Sequence, residues 1–211
     1  MARKKGGMAI KKKKESKRNL QFFWGVFIAI SLVFGMLVIM DDSQPATVQD
    51  FEYNNFSFYY EYDRSVGFNF VKTSIGGVEF SFFSEPYRAE PFDVGYELLE
   101  KMVYSEKTYL SLDAESQMSD IIGLASFSLQ TDFLAIGKPF EMAVLKESEM
   151  TSYPVITCKN ASEDVFVVTM EEGEETEFIS EENCLRIVSE YPFGFLEMRD
   201  VILYKMLGII E

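Results

Sequence analysis

Residues 20–40 read LQFFWGVFIAISLVFGMLVIM, 21 positions without a charge, in which only Gln21 and Ser31 are strongly polar. At ~1.5 Å per residue a helix of this length crosses a hydrocarbon core of ~30 Å, which makes the run a transmembrane helix candidate. Its flanks are unequal. Nine Lys or Arg and one acid, Glu15, occupy residues 1–19, and Asp41 and Asp42 follow the run. The positive-inside bias predicts a cytoplasmic tail at 1–19, an anchor at 20–40, a polar linker at 41–50 and an extracytoplasmic domain at 51–211. Trp24, beside Phe22 and Phe23, falls at the cytoplasmic end, where an amphipathic ring anchors the interface.

A cleaved signal peptide would have a shorter apolar core and small residues at its cleavage site. Here the run ends in Val38-Ile39-Met40-Asp41-Asp42, so an uncleaved signal anchor is the better reading. A pilin-type leader fits less well, because residues 11–19 separate Gly6-Gly7 from the apolar run. The Lys11–Lys14 cluster reads as a topology signal. The alternatives are attraction to anionic lipid and non-specific contact with nucleic acid. No specific nucleic-acid partner is expected.

The net charge of −14 conceals this division, since eleven basic and thirty-three acidic side chains follow the apolar run. The chain has no histidine, which excludes His-based triads, His-ligated zinc and haem, and the usual proton shuttle near neutral pH.

The outer part is long enough for one domain with a sizeable core. Residues 51–62 (FEYNNFSFYYEY) place Phe56, Phe58, Tyr60 and Tyr62 at period two, a strand with one packed face; a sugar-stacking platform is the alternative. Residues 66–74 and 78–83 are β-rich and joined by Gly76-Gly77, which suits a tight hairpin. A three-stranded antiparallel meander is predicted. Residues 86–91 read as a loop, 96–103 as a helix, 107–113 as a strand, 119–130 as an apolar helix capped by Ser119 or Asp120, and 140–146 as a strand. Strand, helix and strand in that order suggest a βαβ unit. Residues 165–170 and 185–189 are predicted strands on either side of an acidic loop, and 195–210 a closing helix stopped by Gly208. On that helix Phe195, Met198, Ile202, Leu203, Met206 and Leu207 share one arc, while Glu197, Asp200, Tyr204 and Lys205 face away. Arg199 is the misfit within the apolar arc, expected to snorkel or to pair with an acid, the alternative being that it marks a site. The expected class is α+β, or mixed α/β.

Cys158 and Cys184, the only cysteines, are placed outside by the topology, where oxidising conditions favour pairing. Each adjoins a predicted strand, and neither CxxC spacing nor histidine supports a metal reading. The sequons Asn55-Phe56-Ser57 and Asn160-Ala161-Ser162 are possible glycosylation sites. Asn160 follows Cys158 in a polar turn and is the better candidate, whereas Asn55 sits inside the aromatic strand run. Residues 171–182 (EEGEETEFISEE) hold seven glutamates and read as a solvated turn, with calcium binding as the alternative. GxSxG, SxxK, HExxH, GxGxxG and GxxxxGK are all missing. No catalytic, cofactor-binding or metal-binding residue is assigned, and no cofactor is expected.

Residues 154–210 (PVITCKNAS … VFVVTMEEGEETEF … ENCLRIV … RDVILYKMLGII) resemble uncharacterised single-pass membrane proteins of small-genome archaea, and the similarity extends loosely to YLSLD at 109–113. That family resembles this chain in its basic tail, single anchor, aromatic strand region and two cysteines. The resemblance implies an envelope domain with a Cys158–Cys184 bridge and carries no activity. The expected function is a membrane-anchored extracytoplasmic structural or interaction protein of the cell envelope, held in the bilayer by residues 20–40 and engaging a protein partner. A carboxylate-dependent envelope hydrolase and an accessory subunit of a membrane complex are the alternatives. An exposed apolar patch on the acidic surface favours a partner, and a deep cleft with facing carboxylates favours an enzyme.

Overall fold

The aromatic run folds as two strands rather than one. In the computed structural model, which describes residues 50–211 apart from Val66 and Met150, β1 (Phe51–Tyr53) turns into β2 (Phe56–Asp63) with Phe51 opposite Phe58. Asn54 and Asn55 adopt φ of 47° and 67°, the left-handed pair that a two-residue hairpin needs and that asparagine tolerates. With β3 (Phe68–Ile75) and β4 (Val78–Phe82), the expected three-stranded meander is therefore a four-stranded antiparallel sheet in sequence order. Gly76 and Gly77, at φ 61° and 84°, make the predicted second hairpin. Most of the aromatic stripe is core: Phe58 is buried and stacks on Phe51 at 5.1 Å, and Phe56 and Tyr60 pack against the same cluster, but Tyr62 at its end is exposed.

The anchor, the basic tail and the linker up to residue 49 lie outside the described residues. Among the described residues no helix is long and apolar enough to cross a membrane.

The segment at 86–91, read as a loop, contains a one-turn helix, α1 (Pro86–Ala89). Helix α2 (Tyr96–Tyr104) buries Leu98, Leu99 and Met102 as its spacing predicts. Next, β5 (Lys107–Leu112), α3 (Ser119–Ala135) and β6 (Glu141–Val144) form the expected βαβ unit, with β5 and β6 parallel. Neither Ser119 nor Asp120 caps α3; the N-cap is Met118, whose N–H donates to Ser116 Oγ at 3.0 Å. The strands β7 (Val165–Glu172), β8 (Glu177–Glu181) and β9 (Cys184–Ser189) complete a mixed sheet in the order β6-β5-β7-β9-β8. All its pairings are parallel except β8 with β9. The acidic segment is thus not simply a loop. Residues 173–176 form the expected turn, but the segment's second half is an edge strand, with Phe178 packed against the core and the glutamates left at the rim, where charge discourages further pairing.

On β7, Phe166, Val168 and Met170 join the main core cluster, and Val167 and Thr169 are equally buried on the opposite face. Burial on both faces explains why VFVVTM is a continuous run rather than an alternating one. That opposite face is tied to the extended segment after β6, where Ser111 Oγ donates to the Ile156 carbonyl at 2.6 Å and Val155 bridges to Val144.

The closing helix, α4 (Pro192–Met206), begins three residues before its predicted start because Pro192 sits in the first turn, where no N–H is required. Gly208, at φ 68°, then reverses the chain. Ile209 N–H returns to the Tyr204 carbonyl at 2.8 Å, and Ile209 and Ile210 are buried as expected. Leu203 is buried, whereas Met206 and Leu207 are only half-buried. The expectation that Glu197, Asp200, Tyr204 and Lys205 face solvent is wrong; all four are buried. The helix is enclosed on more than one side, packed against α3 and β9 and also against the meander, where Tyr204 stacks on Phe82 at 4.1 Å and meets Phe58 edge-on. An amphipathic reading presumes one wet face, and α4 has none along most of its length. The fold is α+β, with one antiparallel sheet, one mixed sheet and a C-terminal helix between them.

Candidate functional site

Helix α3 carries no charged residue from 121 to 131. Its inner face, Ile122, Ala125, Leu129 and Phe133, is fully buried. Its outer face is also apolar yet open: Leu124 is 40% exposed, Phe127 64% and Leu134 61%. At 3.6 residues per turn these three positions fall within about 80° of one another around the helix, forming a single stripe. A helix that is apolar all round normally has protein or lipid on every side. Residues 50–211 carry 31 acidic side chains against 11 basic ones, yet this stretch of the open face carries none. Sequence reading identified the apolar helix and missed its open side. The clue was the lack of a polar face, which a buried helix and a partnered helix share.

A second candidate lies on the mixed sheet. Thr169, Glu171, Glu181, Arg186, Cys158 and Lys159 line a shallow depression of about 370 Å³. Arg186 Nε donates to Glu171 at 2.7 Å, and its second nitrogen reaches Glu181 at 3.5 Å, while Thr169 Oγ1 donates to Glu171 at 3.1 Å. The hydrogen bond to Glu171 is the main reason that the guanidinium is held more firmly protonated than usual. Both carboxylates are engaged by one cation, which makes the trio a clamp across β7, β9 and β8 rather than a free acid and base. Among the described residues no group of three or more His, Cys, Asp or Glu could hold a metal ion, and this includes the acidic segment 171–182.

The sulfurs of Cys158 and Cys184 are bonded, with Cα atoms 5.4 Å apart, joining the 3₁₀ turn Cys158–Asn160 to the start of β9. The sequon residues are both exposed. Asn160 ends that 3₁₀ turn, its Oδ1 accepting the Thr157 N–H at 2.9 Å. Asn55 lies in the β1–β2 turn and not within a strand, so the structure does not bring it beside Asn160 on the mixed sheet.

The residue that resisted the amphipathic reading, Arg199, is the centre of a buried ionic group. It pairs with Asp132 of α3 and with Asp200 at 2.6 Å, and donates to the Ser81 carbonyl at 2.8 Å. Asp200 accepts the Phe83 and Ser84 N–H groups and the Ser84 hydroxyl at 2.8 to 2.9 Å. Arg199 Nε is the one buried side-chain polar atom without a partner among the described residues. This group pins the end of β4 to α3 and α4. Burial pushes the Asp200 carboxyl up to about 6, outweighing Arg199 and Ser84, which favour the charged form. Burial raises Asp132 as well, against Arg199.

The raised Asp200 carboxyl predicts a pH dependence with a definite sign. Unfolded, Asp200 ionises near its ordinary 3.8; folded, near 6. Between those values the folded state holds the extra proton, so the contribution of Asp200 to stability is greatest at low pH and declines as pH rises through the window. The decline is on the order of 3 kcal/mol. Urea unfolding of the wild type and Asp200→Asn at intervals from pH 4 to pH 8 measures it. The gap between the two proteins should shift between about pH 4 and pH 6 and then stay level. A constant gap would show that Asp200 does not titrate there.

The chain matches no family model, no curated protein and no solved structure.

Proposed function

We propose that this chain is a membrane-anchored extracytoplasmic interaction protein of the cell envelope, tethered by residues 20–40 and assembling through the outer face of α3. The observation that carries this reading is the exposed stripe Leu124, Phe127 and Leu134 on an otherwise acidic domain, since an open apolar face rimmed by polar surface marks a contact site. The Cys158–Cys184 bond agrees with an oxidising compartment. The uncharged run with its basic flank supports the anchor and its orientation. Against the hydrolase alternative stands the engagement of Glu171 and Glu181 by Arg186.

Intact, wall-stripped cells and their membranes test the reading. Protease added outside should remove residues 51–211 and spare the basic tail. On native gels of gently solubilised membranes, the wild type should run in a larger assembly than Phe127→Glu. Protection of the domain from protease would overturn the orientation, and equal migration of the two proteins would overturn the interaction role.

A further inference from the structure

The stripe on α3 has an internal symmetry that specifies its partner. Along the exposed face lie Asp120, Gly123, Leu124, Phe127, Thr131, Leu134 and Ala135, and Lys138 follows just past the helix end. Asp120 with Lys138, Gly123 with Ala135, Leu124 with Leu134, and Phe127 with Thr131 are all pairs centred on position 129. We infer that α3 docks against α3 of a second copy of this chain, antiparallel, about a twofold axis passing near residue 129. The inference rests on the interaction role proposed above and names the partner.

A twofold interface must be complementary to itself, because each residue meets the counterpart that its own position generates. The four pairs satisfy that condition in chemistry and in size. Leu124 meets Leu134, and the large Phe127 meets the small Thr131. Gly123 meets Ala135, which lets the backbones approach; a Cβ at Gly123 would touch nothing within 4 Å in the single chain, so no neighbour already occupies that space. Asp120 meets Lys138; both are exposed, and neither forms an ion pair among the described residues. The antiparallel arrangement also sets the two helix dipoles against each other favourably. Two bodies this acidic repel over most of their surfaces, and a stripe whose one carboxylate, Asp120, meets a lysine is where they can approach closely.

The patch size sets the strength. Three partly exposed large side chains amount to an apolar patch of roughly 300–600 Å². That is below the ~800 Å² per partner of a standard stable interface, so association is weak in dilute solution and grows when copies are concentrated on one membrane.

The purified full-length chain in detergent micelles, followed by sedimentation equilibrium over a range of protein-to-detergent ratios, tests the inference. Circular dichroism checks that each variant is folded. The wild type should reach a dimer. Phe127→Glu should weaken it ~100-fold or more, since it places a charge at the centre of the contact. Asp120→Lys and Lys138→Asp should each weaken it about tenfold, as attraction becomes repulsion at two symmetric places. The double variant carrying both should return to within about threefold of the wild type. Recovery in the double variant is the decisive result, because an unrelated partner or a dimer formed by the anchor would not produce it. A monomer at every ratio, a dimer indifferent to Phe127→Glu, or a double variant no better than its parents would overturn the second-copy inference. If any of these occurs while Phe127→Glu still shrinks the assembly in native membranes, the interaction role stands with a different partner. If Phe127→Glu changes neither, both fail.

Discussion

A chain ending at Lys205 should not fold. The six residues removed include Ile209 and Ile210, which are 1% and 4% exposed, and the half-buried Met206 and Leu207. Each fully buried large aliphatic side chain stabilises by ~1.5–3 kcal/mol. The truncation also deletes the Gly208 reversal that satisfies the last carbonyls of α4, and two ties to the rest of the domain: Asn54 Nδ2 to the Ile209 carbonyl at 2.9 Å and the Tyr96 hydroxyl to the Ile210 carbonyl at 3.3 Å. Together these losses approach the ~5–15 kcal/mol that holds a domain of ordinary stability. Thermal unfolding followed by circular dichroism should show no cooperative transition. A truncated chain that melts cooperatively within a few degrees of the intact one would mean that the terminal residues are a surface appendage, contrary to their burial.

Arg199→Met should destabilise by ~3–5 kcal/mol, because it leaves Asp132 and Asp200 buried without their cation. The size of the loss is mainly the penalty of the stranded carboxylates and not the worth of the pair. A compensated variant makes the distinction. Arg199→Met combined with Asp132→Leu and Asp200→Asn removes the charges together and should recover a substantial part of the loss. Urea denaturation of the three proteins measures it. If the triple variant is less stable than Arg199→Met by the sum of further penalties, the carboxylates are held by their other partners, and the guanidinium is dispensable for them.

The elements visible in the sequence were those with strong local periodicity or unambiguous turn chemistry. Gly76-Gly77 announced its hairpin because glycine takes a positive φ freely, and Leu98, Leu99 and Met102 announced α2 by their spacing. Asn54-Asn55 announced a hairpin just as physically, but between aromatic neighbours it was absorbed into one long strand. Strand β8 was hidden by its glutamates, which an edge strand tolerates because half of its backbone pairing is absent. The disulfide agrees with an expectation that rested on the charge asymmetry about residues 20–40 and on a chain with just two cysteines, neither in CxxC spacing nor accompanied by histidine. What local pattern could not supply was the environment of a whole helix. On α4, Glu197, Asp200, Tyr204 and Lys205 look like a wet face until the meander, α1 and the segment leading into α2 are laid over them. On α3, Leu124, Phe127 and Leu134 look like core until the domain is closed without them. Both errors have one cause: periodicity reports which residues share a face, and tertiary packing alone decides what that face meets.

The position of α4 has a consequence for the order in which the molecule is made. The meander needs only pairings between neighbours in sequence, so its strands can meet while the rest of the chain is still being synthesised. The mixed sheet has to wait for β9, which lies between β7 and β8. The groups that fasten one sheet to the other, Arg199, Asp200 and Tyr204, all reside on α4, after every strand of both sheets. It follows that the two halves remain unjoined until the ribosome has delivered the chain as far as α4. During that interval Phe58 and Phe82, which finally enclose Tyr204, present their rings to whatever surrounds the growing chain.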